Sequence, residues 1–172
     1  TIPQTFDNSI PVPGFWDQAR IEMPNYVTSA LWYRTTVTLP DAPTGNATLR
    51  IGRAYYGRYI YVNGQYVGDY QYNYTSSNTD ITPYLHAGEN EIVIMLGNYI
   101  QQKDDPNCPA HVGTDGERNS FYSGIIDSVT LVLNDDPTVT ALQTAPDLEN
   151  GSIQTRTTLE NKSDADVTTD VT

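Results

Sequence analysis

The sequence has a single cysteine, few basic residues and no long apolar run. One cysteine, Cys108, cannot form an internal disulfide and is too little for a thiolate zinc site, so packing must hold the fold together. Only nine Lys and Arg occur and the net charge is -12, which argues against a nucleic-acid partner. No apolar run approaches the roughly 20 residues that span a membrane. We therefore expect a soluble protein with neither nucleic-acid nor membrane partners.

A recognisable set of catalytic residues is also lacking. A glycosidase needs two carboxylates placed across the scissile bond, and an acyl-transfer enzyme needs a nucleophile with its base. The acids of this chain cluster in loops, and the spacing of His86 and His111 does not make a metal site. We assign no catalytic residue, and we interpret His86 as a surface residue.

Tyrosine, by contrast, is abundant, with 13 Tyr against three Phe and two Trp. Aromatic and β-branched side chains fit a pleated, half-buried surface, so this composition favours strands over helices. The length of 172 residues allows one domain with a full core plus a fragment of another. The sequence predicts an all-β fold.

Alternating side chains predict the first strands. Leu31 to Leu39 alternates, with Tyr33 and Val37 on one face and Trp32 on the other. We expect further strands at 47–51 and 58–62. The dipeptide Asn63-Gly64 suits a type I′ turn, because both residues tolerate positive φ, and it predicts a hairpin that pairs residues 59–62 with 65–67.

The middle of the chain predicts a short helical turn and a central strand. Residues 80–85 have Thr82 as the expected N-cap, Pro83 at the first helical position and Gly88 as the stop. Residues 91–96 are almost continuously apolar, which indicates a strand buried on both sides. Residues 129–133 predict the closing strand.

The remaining segments are irregular or belong to a second unit. Residues 6–25 are rich in Pro and turn formers, which indicates an arm laid over the sandwich, and 98–123 form a long polar connection. Asn134 to Pro137 marks a boundary. Three short strands are expected after it, at 138–145, 152–160 and 167–171, and three strands do not close an immunoglobulin-like sandwich.

Five segments in order resemble the N-terminal sugar-binding domain of glycoside hydrolase family 2. They are VPGFW at Val12–Trp16, LWYR with a following LP at Leu31–Pro40, YVNGQYVG at Tyr61–Gly68, DITPYL with a following G and N at Asp80–Asn90, and SGIIDSVTL at Ser123–Leu131. Two positions depart from the family pattern. Ile126-Asp127 replaces its usual Tyr-Arg, and its Gly-Gly-Tyr appears only as Tyr72-Asn73-Tyr74.

The resemblance implies a galactose-binding-like jelly-roll β-sandwich over residues 1–134 and the truncated start of an immunoglobulin-like β-sandwich over 135–172. It implies a non-catalytic domain of a β-galactosidase, β-glucuronidase or β-mannosidase type enzyme, whose catalytic glutamates lie on a barrel absent from this chain. We expect a secreted or periplasmic protein whose export signal lies outside this sequence. Exposed strand edges in 138–172 make a dimer plausible.

Two sets of residues are candidates for contacts with carbohydrate or metal. Strand alternation would place Tyr70, Tyr72 and Tyr74 on one face, where they either stack on sugar rings, line a core face or form a solvated sheet surface. In the long connection, Asp105, Arg118 and Asn119 could reach a substrate in the full enzyme. The acids Asp104, Asp105 and Asp115 could instead bind Ca²⁺, or the segment is simply solvated. We interpret Trp16 and Trp32 as packing residues.

Overall fold

The computed structural model describes residues 1–15, 30–55, 57–72, 75–97, 124–163 and 165–170. Within these ranges the chain is built almost entirely of strands, and no helix there is long and apolar enough to cross a membrane. In chain order the strands are β1 (Gly14–Phe15), β2 (Leu31–Leu39), β3 (Asn46–Ile51), β4 (Ala54–Tyr55), β5 (Arg58–Val62), β6 (Gln65–Tyr70), β7 (Ser77–Asp80), β8 (Gly88–Leu96), β9 (Gly124–Ile125), β10 (Val129–Asn134), β11 (Thr138–Asp147) and β12 (Ser152–Glu160).

The described strands form a β-sandwich followed by a separate hairpin. The largest sheet has the order β2-β8-β5-β6, with every neighbouring pair antiparallel. A second sheet has the order β10-β3-β7, and a smaller one has β1-β9-β4. The predicted all-β sandwich is confirmed, and β8 is central as its apolar run indicated.

One core joins the two larger sheets. It is formed by alternate side chains of their strands, by one residue each of β4 and β9 in the smaller sheet, and by residues just before and after the short helical turn: Leu39, Ala47, Leu49, Ile51, Ala54, Ile60, Val62, Ile81, Leu85, Ile92, Ile94, Leu96 and Ile125. Leu31, Tyr33 and Val37 of β2 pack against this cluster. The predicted faces of β2 are therefore confirmed. Trp32 lies on the opposite face, where its ring is 6.0 Å from that of Tyr61.

The hairpin at Asn63-Gly64 is confirmed. Asn63 has φ 50° and Gly64 has φ 75°, the positive values that a type I′ turn requires. The pairing extends from Val62 opposite Gln65 to Arg58 opposite Tyr70, so β6 is longer than predicted. A bulge between Ile60 and Tyr61 shifts the register along the way.

The short helical turn is present, but its predicted capping is wrong. A 3₁₀ turn spans Thr82–Tyr84 and is preceded by Ile81, which makes no side-chain capping bond. Thr82 is the first helical residue rather than the N-cap, because its hydroxyl is held between the Asp80 carboxylate, to which it donates at 2.6 Å, and the Ala47 N–H, from which it accepts at 2.9 Å. Gly88, with φ 92°, opens β8 instead of ending the turn.

Two asparagines connect the hairpin, the 3₁₀ turn and β8. Asn63 donates through Nδ2 to the Tyr84 carbonyl at 2.8 Å and to Asn90 Oδ1 at 2.9 Å, and its own Oδ1 accepts the Glu91 N–H at 2.9 Å. Asn90 is fully buried, accepts the His86 N–H at 3.0 Å and donates to the His86 and Gly88 carbonyls. The pair satisfies backbone groups that the connecting segments would otherwise leave without partners.

A close backbone approach explains the glycine of β9. β1 pairs with β9 so that Gly14 lies opposite Ile125 and Phe15 opposite Gly124. A Cβ at Gly124 would come within 2.5 Å of the Gly14 carbonyl oxygen and 2.9 Å of the Phe15 Cα. Any other residue would force β1 away, so this glycine lets the N-terminal segment join the sandwich.

The last part of the chain forms a two-stranded ribbon rather than three strands. β11 and β12 pair antiparallel, but residues 165–170 contain no strand, so the predicted strand at 167–171 is wrong over its described part. The reason is local, because Asn161 Nδ2 donates to the Ala165 carbonyl at 2.8 Å and bends the chain after β12.

Polar contacts link this ribbon to the sandwich. Lys162 Nζ forms an ion pair and hydrogen bond with Asp80, and its backbone N–H donates to Asp136 at 3.1 Å. Burial acts to raise the pKa of Asp80, but the hydrogen bonds from Lys162 and Thr82 outweigh it and hold that pKa below its usual value. Asp80 therefore stays ionised while it supports both the 3₁₀ turn and the ribbon.

Replacing Asn90 tests the asparagine pair. Asn90→Ala removes four hydrogen bonds and leaves buried partners unsatisfied, so we expect a loss of about 3 kcal/mol in the free energy of unfolding. Urea denaturation with an unchanged m-value measures this loss. Asn150→Ala, in the exposed turn between β11 and β12, is the control and should change stability by less than about 1 kcal/mol. Equal effects of the two substitutions would contradict the assigned role of Asn90.

Candidate functional site

The predicted tyrosine cluster is partly assembled at the far end of β6. Tyr70 is the last residue of β6, and Tyr72 follows it, with the two rings 5.5 Å apart in an edge-on arrangement. The Tyr70 hydroxyl shares a hydrogen bond of 3.0 Å with the Thr75 hydroxyl. Tyr72 is 56% exposed. The third member, Tyr74, lies outside the described residues.

Tyr70 has a structural role that the sequence did not reveal. Its ring lies over the guanidinium of Arg58, with 4.6 Å from Arg58 Cζ to the ring centroid. Arg58 is fully buried, although arginine is seldom found inside a protein without a charged partner. Tyr70 therefore covers a buried cation, and Tyr72 is the exposed member of the pair.

The environment of Arg58 is unusual. Its Nε and Nη2 donate to the Ser77 hydroxyl at 3.1 and 2.7 Å, and Nη2 also reaches the Thr75 carbonyl. Its Nη1 is buried without a hydrogen-bond partner, and none of the ion pairs among the described residues includes it. Burial lowers the pKa of Arg58 to about 10, and the nearby Tyr70 offsets part of this effect. The cation is held by neutral oxygens and one aromatic face.

A cavity of about 800 Å³ lies between the N-terminal arm and the sandwich. Phe6, Ile10 and Val12 of the arm line one side, and Leu31, Tyr33 and Ile125 belong to the sandwich. The Tyr33 hydroxyl is buried without a partner at hydrogen-bond geometry. Burial raises the pKa of Tyr33 to about 12, and the nearby Ile125 backbone offsets only part of the rise. The volume suits a small ligand, and the polar side chains that line the cavity include Asp7, Asn8 and Arg34.

The candidate residues of the long connection were predicted as contacts with calcium or substrate. Asp104, Asp105, Asp115, Arg118 and Asn119 all lie outside the described residues. In the part of the chain that the structure describes, no three His, Cys, Asp or Glu side chains come together as a metal site. The calcium and substrate-contact hypotheses for this segment stay predictions.

His86 and Asp127 are both accounted for by local contacts. His86 is exposed, as expected, and its Nδ1 lies 2.7 Å from the Ala87 carbonyl. Asp127 stands where the resemblance leads one to expect arginine. It accepts the Ser128 N–H at 2.7 Å and forms an ion pair with Arg53 at 3.3 Å, and these contacts hold its pKa below the usual value.

Comparison with known protein families gives one match. The model of the family described as "Glycosyl hydrolases family 2, sugar binding domain" matches residues 23–135. A protein of Formosa agariphila named "Putative beta-glucuronidase" is 30% identical over 71 residues, which are 41% of this chain and 7% of that protein.

Solved structures share the fold. A β-glucuronidase of Ruminococcus gnavus aligns with a TM-score of 0.68 and 19% identity, over 90% of this chain and 28% of that one. A β-D-glucuronidase of Dictyoglomus thermophilum aligns with a TM-score of 0.65 and 21% identity, over 92% of this chain and 30% of that one. This chain thus spans less than a third of these relatives' length. Because the family model covers most of the sandwich, the chain belongs to the sugar-binding domain family of the family 2 glycosyl hydrolases.

Proposed function

We propose that this chain is the non-catalytic N-terminal domain of a family 2 glycoside hydrolase. In this role it supports the enzyme and helps to shape a substrate site whose catalytic acids lie on a barrel elsewhere in the same polypeptide. The observation that carries the proposal is the family match over residues 23–135, which includes the whole four-stranded sheet. The small share of each relative that this chain covers supports a multidomain parent.

The proposal includes several finer features. We infer that residues 1–134 form a galactose-binding-like jelly roll and that 135–172 begin an immunoglobulin-like domain. The parent would hydrolyse O-glycosidic bonds of β-linked sugars outside the cell or in the periplasm. The names of the relatives include β-glucuronidases and a β-D-mannosidase, which are two of the three enzyme types that the resemblance implies.

The proposed role predicts that the chain alone lacks activity and binds sugars weakly. We expect no hydrolysis of p-nitrophenyl β-glycosides, because the acid pair that cleavage requires is assigned to the barrel. Calorimetry against a panel of β-linked oligosaccharides should show dissociation constants no tighter than about millimolar, since an open surface offsets little of the cost of association.

Micromolar binding would instead support an autonomous carbohydrate-binding module. In that case Tyr72→Ala should weaken binding by about 1 kcal/mol or more, because Tyr72 is the exposed ring of its cluster. Hydrolysis by the chain itself would contradict both alternatives. A surface adhesion role would require binding to a protein rather than to any sugar of the panel.

We also propose that two copies of the chain associate through the β11–β12 ribbon. The register places Leu142 opposite Thr157 and Pro146 opposite Ile153, so their side chains share one face. Leu142 is 64% exposed and Ile153 is 68% exposed. A two-stranded ribbon with one uncovered apolar face is only marginally stable alone, and its strand edges invite pairing with a second copy.

Charge substitutions on the two faces of the ribbon test this association. Light scattering over a wide concentration range should show a dimer for the unmodified chain and a monomer for Ile153→Asp, because the charge would be buried in the interface. Gln154→Asp, one residue away on the opposite face, should remain dimeric. An unmodified chain that stays monomeric at high concentration, while its ribbon is protected from hydrogen exchange, would contradict the proposal.

A further inference from the structure

The outer face of the four-stranded sheet carries a row of aromatic side chains. We call Trp32, Tyr59, Tyr61 and Tyr66 the aromatic platform. The sequence neighbours of Trp32, Tyr59 and Tyr61 point into the core, so these three side chains lie on the opposite face. Tyr66 is paired with Tyr61 across the hairpin and therefore shares that face. The row is built from three strands that are distant in the sequence.

Neighbouring rings of the platform contact one another across the sheet. The centroids of Trp32 and Tyr61 are 6.0 Å apart, those of Tyr61 and Tyr66 are 5.6 Å apart, and those of Tyr59 and Tyr66 are 5.9 Å apart. Trp32 and Tyr61 stand on either side of β8, where Val93 is only 1% exposed. Four strands at the usual spacing span about 14 Å, which is longer than one pyranose ring.

Polar groups lie at both ends of the row. The Tyr66 hydroxyl donates to Asp69 Oδ1 at 2.8 Å, and Gln71 Nε2 donates to Asp69 Oδ2 at 3.0 Å. At the other end, Arg34 Nη1 lies 3.8 Å from Glu91 Oε2. The hydrogen bond to Asp69 holds the Tyr66 ring in one orientation although the residue is 52% exposed. Binding a ligand would therefore cost little side-chain entropy at Tyr66.

These features differ from those of a plain packing surface. Cross-strand aromatic pairs stabilise sheets, and this accounts for the contacts between the rings themselves. However, a purely structural row needs neither the exposed Tyr66 ring nor a carboxylate oriented by two donors. Sugars are recognised by aromatic faces combined with oriented hydrogen-bond acceptors. The aromatic rings stack on the C–H faces of the sugar rings, and the carboxylates accept hydrogen bonds from the sugar hydroxyls.

We propose that the aromatic platform binds a neutral oligosaccharide chain, with its sugar rings stacked on Tyr66, Tyr61 and Trp32. Charge complementarity selects a neutral ligand. Glu91 is paired with Arg34, whereas Asp69 is in none of the ion pairs among the described residues, and with a net charge of -12 it disfavours a uronate at this surface. The inference rests on the proposed function and deepens it by assigning the surface and the ligand class.

The test is a two-dimensional NMR titration of the whole 172-residue chain. The probes are cellotetraose and mannotetraose as neutral sugars, with tetragalacturonate as the anionic comparison. We expect millimolar binding of a neutral probe, with shifts of the Trp32 indole N–H and of the amides of β5 and β6. Tyr66→Ala should weaken this binding about fivefold, the value of one stacked ring. Tyr66→Phe keeps the ring and should bind within about twofold of the unmodified chain.

Tyr72→Ala is the matched control. Tyr72 is exposed to a similar extent, at 56%, but lies beyond the end of β6 beside Tyr70 and Arg58 rather than on the platform. Its removal should leave the affinity unchanged. The spectrum of each variant shows at the same time whether the sandwich remains folded. Binding by the Tyr66→Phe variant shows in addition that the weaker binding of Tyr66→Ala is due to the missing ring.

The possible failures separate this inference from the proposed function. Shifts centred on Tyr72 or on the arm cavity, with Tyr66→Ala unaffected, would overturn the platform alone, as would the absence of shifts with every probe. Equal binding of tetragalacturonate would overturn the neutral ligand class. Micromolar affinity or hydrolysis by the chain would overturn the proposed function, whichever surface the sugar occupied.

Discussion

The hydrogen bond between Asn63 and Asn90 is the contact on which the arrangement of the large sheet depends. Asn63 lies in the hairpin turn and Asn90 lies near the start of the central strand, and 2.9 Å separates Nδ2 of the first from Oδ1 of the second. The backbone N–H of Asn63 also donates to the Glu91 carbonyl at 2.8 Å. Together these bonds fix β5 against β8 in one register. Because a slip of one residue would exchange the two faces of a strand, this register decides that Ile60 is buried and that Tyr59 and Tyr61 face outward.

The family motifs are best understood as contacts between strands. The hairpin motif and the motif ending at Asn90 meet through the asparagine pair, and the first and last motifs meet where Gly14 and Phe15 pair with Gly124 and Ile125. Each pair closes a connection between segments that are distant in the chain. This explains why the resemblance predicts the sandwich but assigns no ligand contact, since residues that hold a framework together need not touch a sugar.

The sequence predicts structure correctly where the residues of a single strand or turn determine it. It does not predict burial or contacts that depend on side chains from neighbouring strands. The faces of β2 follow from alternation alone, and the Asn63-Gly64 turn follows from its tolerance of positive φ. Arg58 gave no sign of burial, because its partners Ser77 and Tyr70 come from two other strands. Tyr70 and Tyr72 do touch, yet the pattern could not show that Tyr70 covers a cation. Alternation places Trp32 on the correct face, but only the strand order reveals that Tyr61 stands beside it.

The same limit applies to the short turn and the ribbon. Thr82 has the side chain of an N-cap, but Asp80 and Ala47 engage its hydroxyl, so tertiary contacts override the local preference. The segment after β12 contains valine and threonine in a strand-like order. A strand also needs a partner for its backbone, and the contact between Asn161 and Ala165 bends this segment away from the ribbon.

A weak sugar surface on such a domain is physically sufficient for its proposed role. A few stacked rings each contribute about 1 kcal/mol, and an open sheet face cannot offset the full cost of association from these alone. When the surface and a catalytic barrel belong to one polypeptide, however, the second contact is intramolecular, with an effective sugar concentration of about millimolar. A millimolar platform would then be about half occupied while the barrel holds the same chain. Tighter binding would slow release of the product. The open aromatic platform therefore suits a domain that guides a polysaccharide without retaining it.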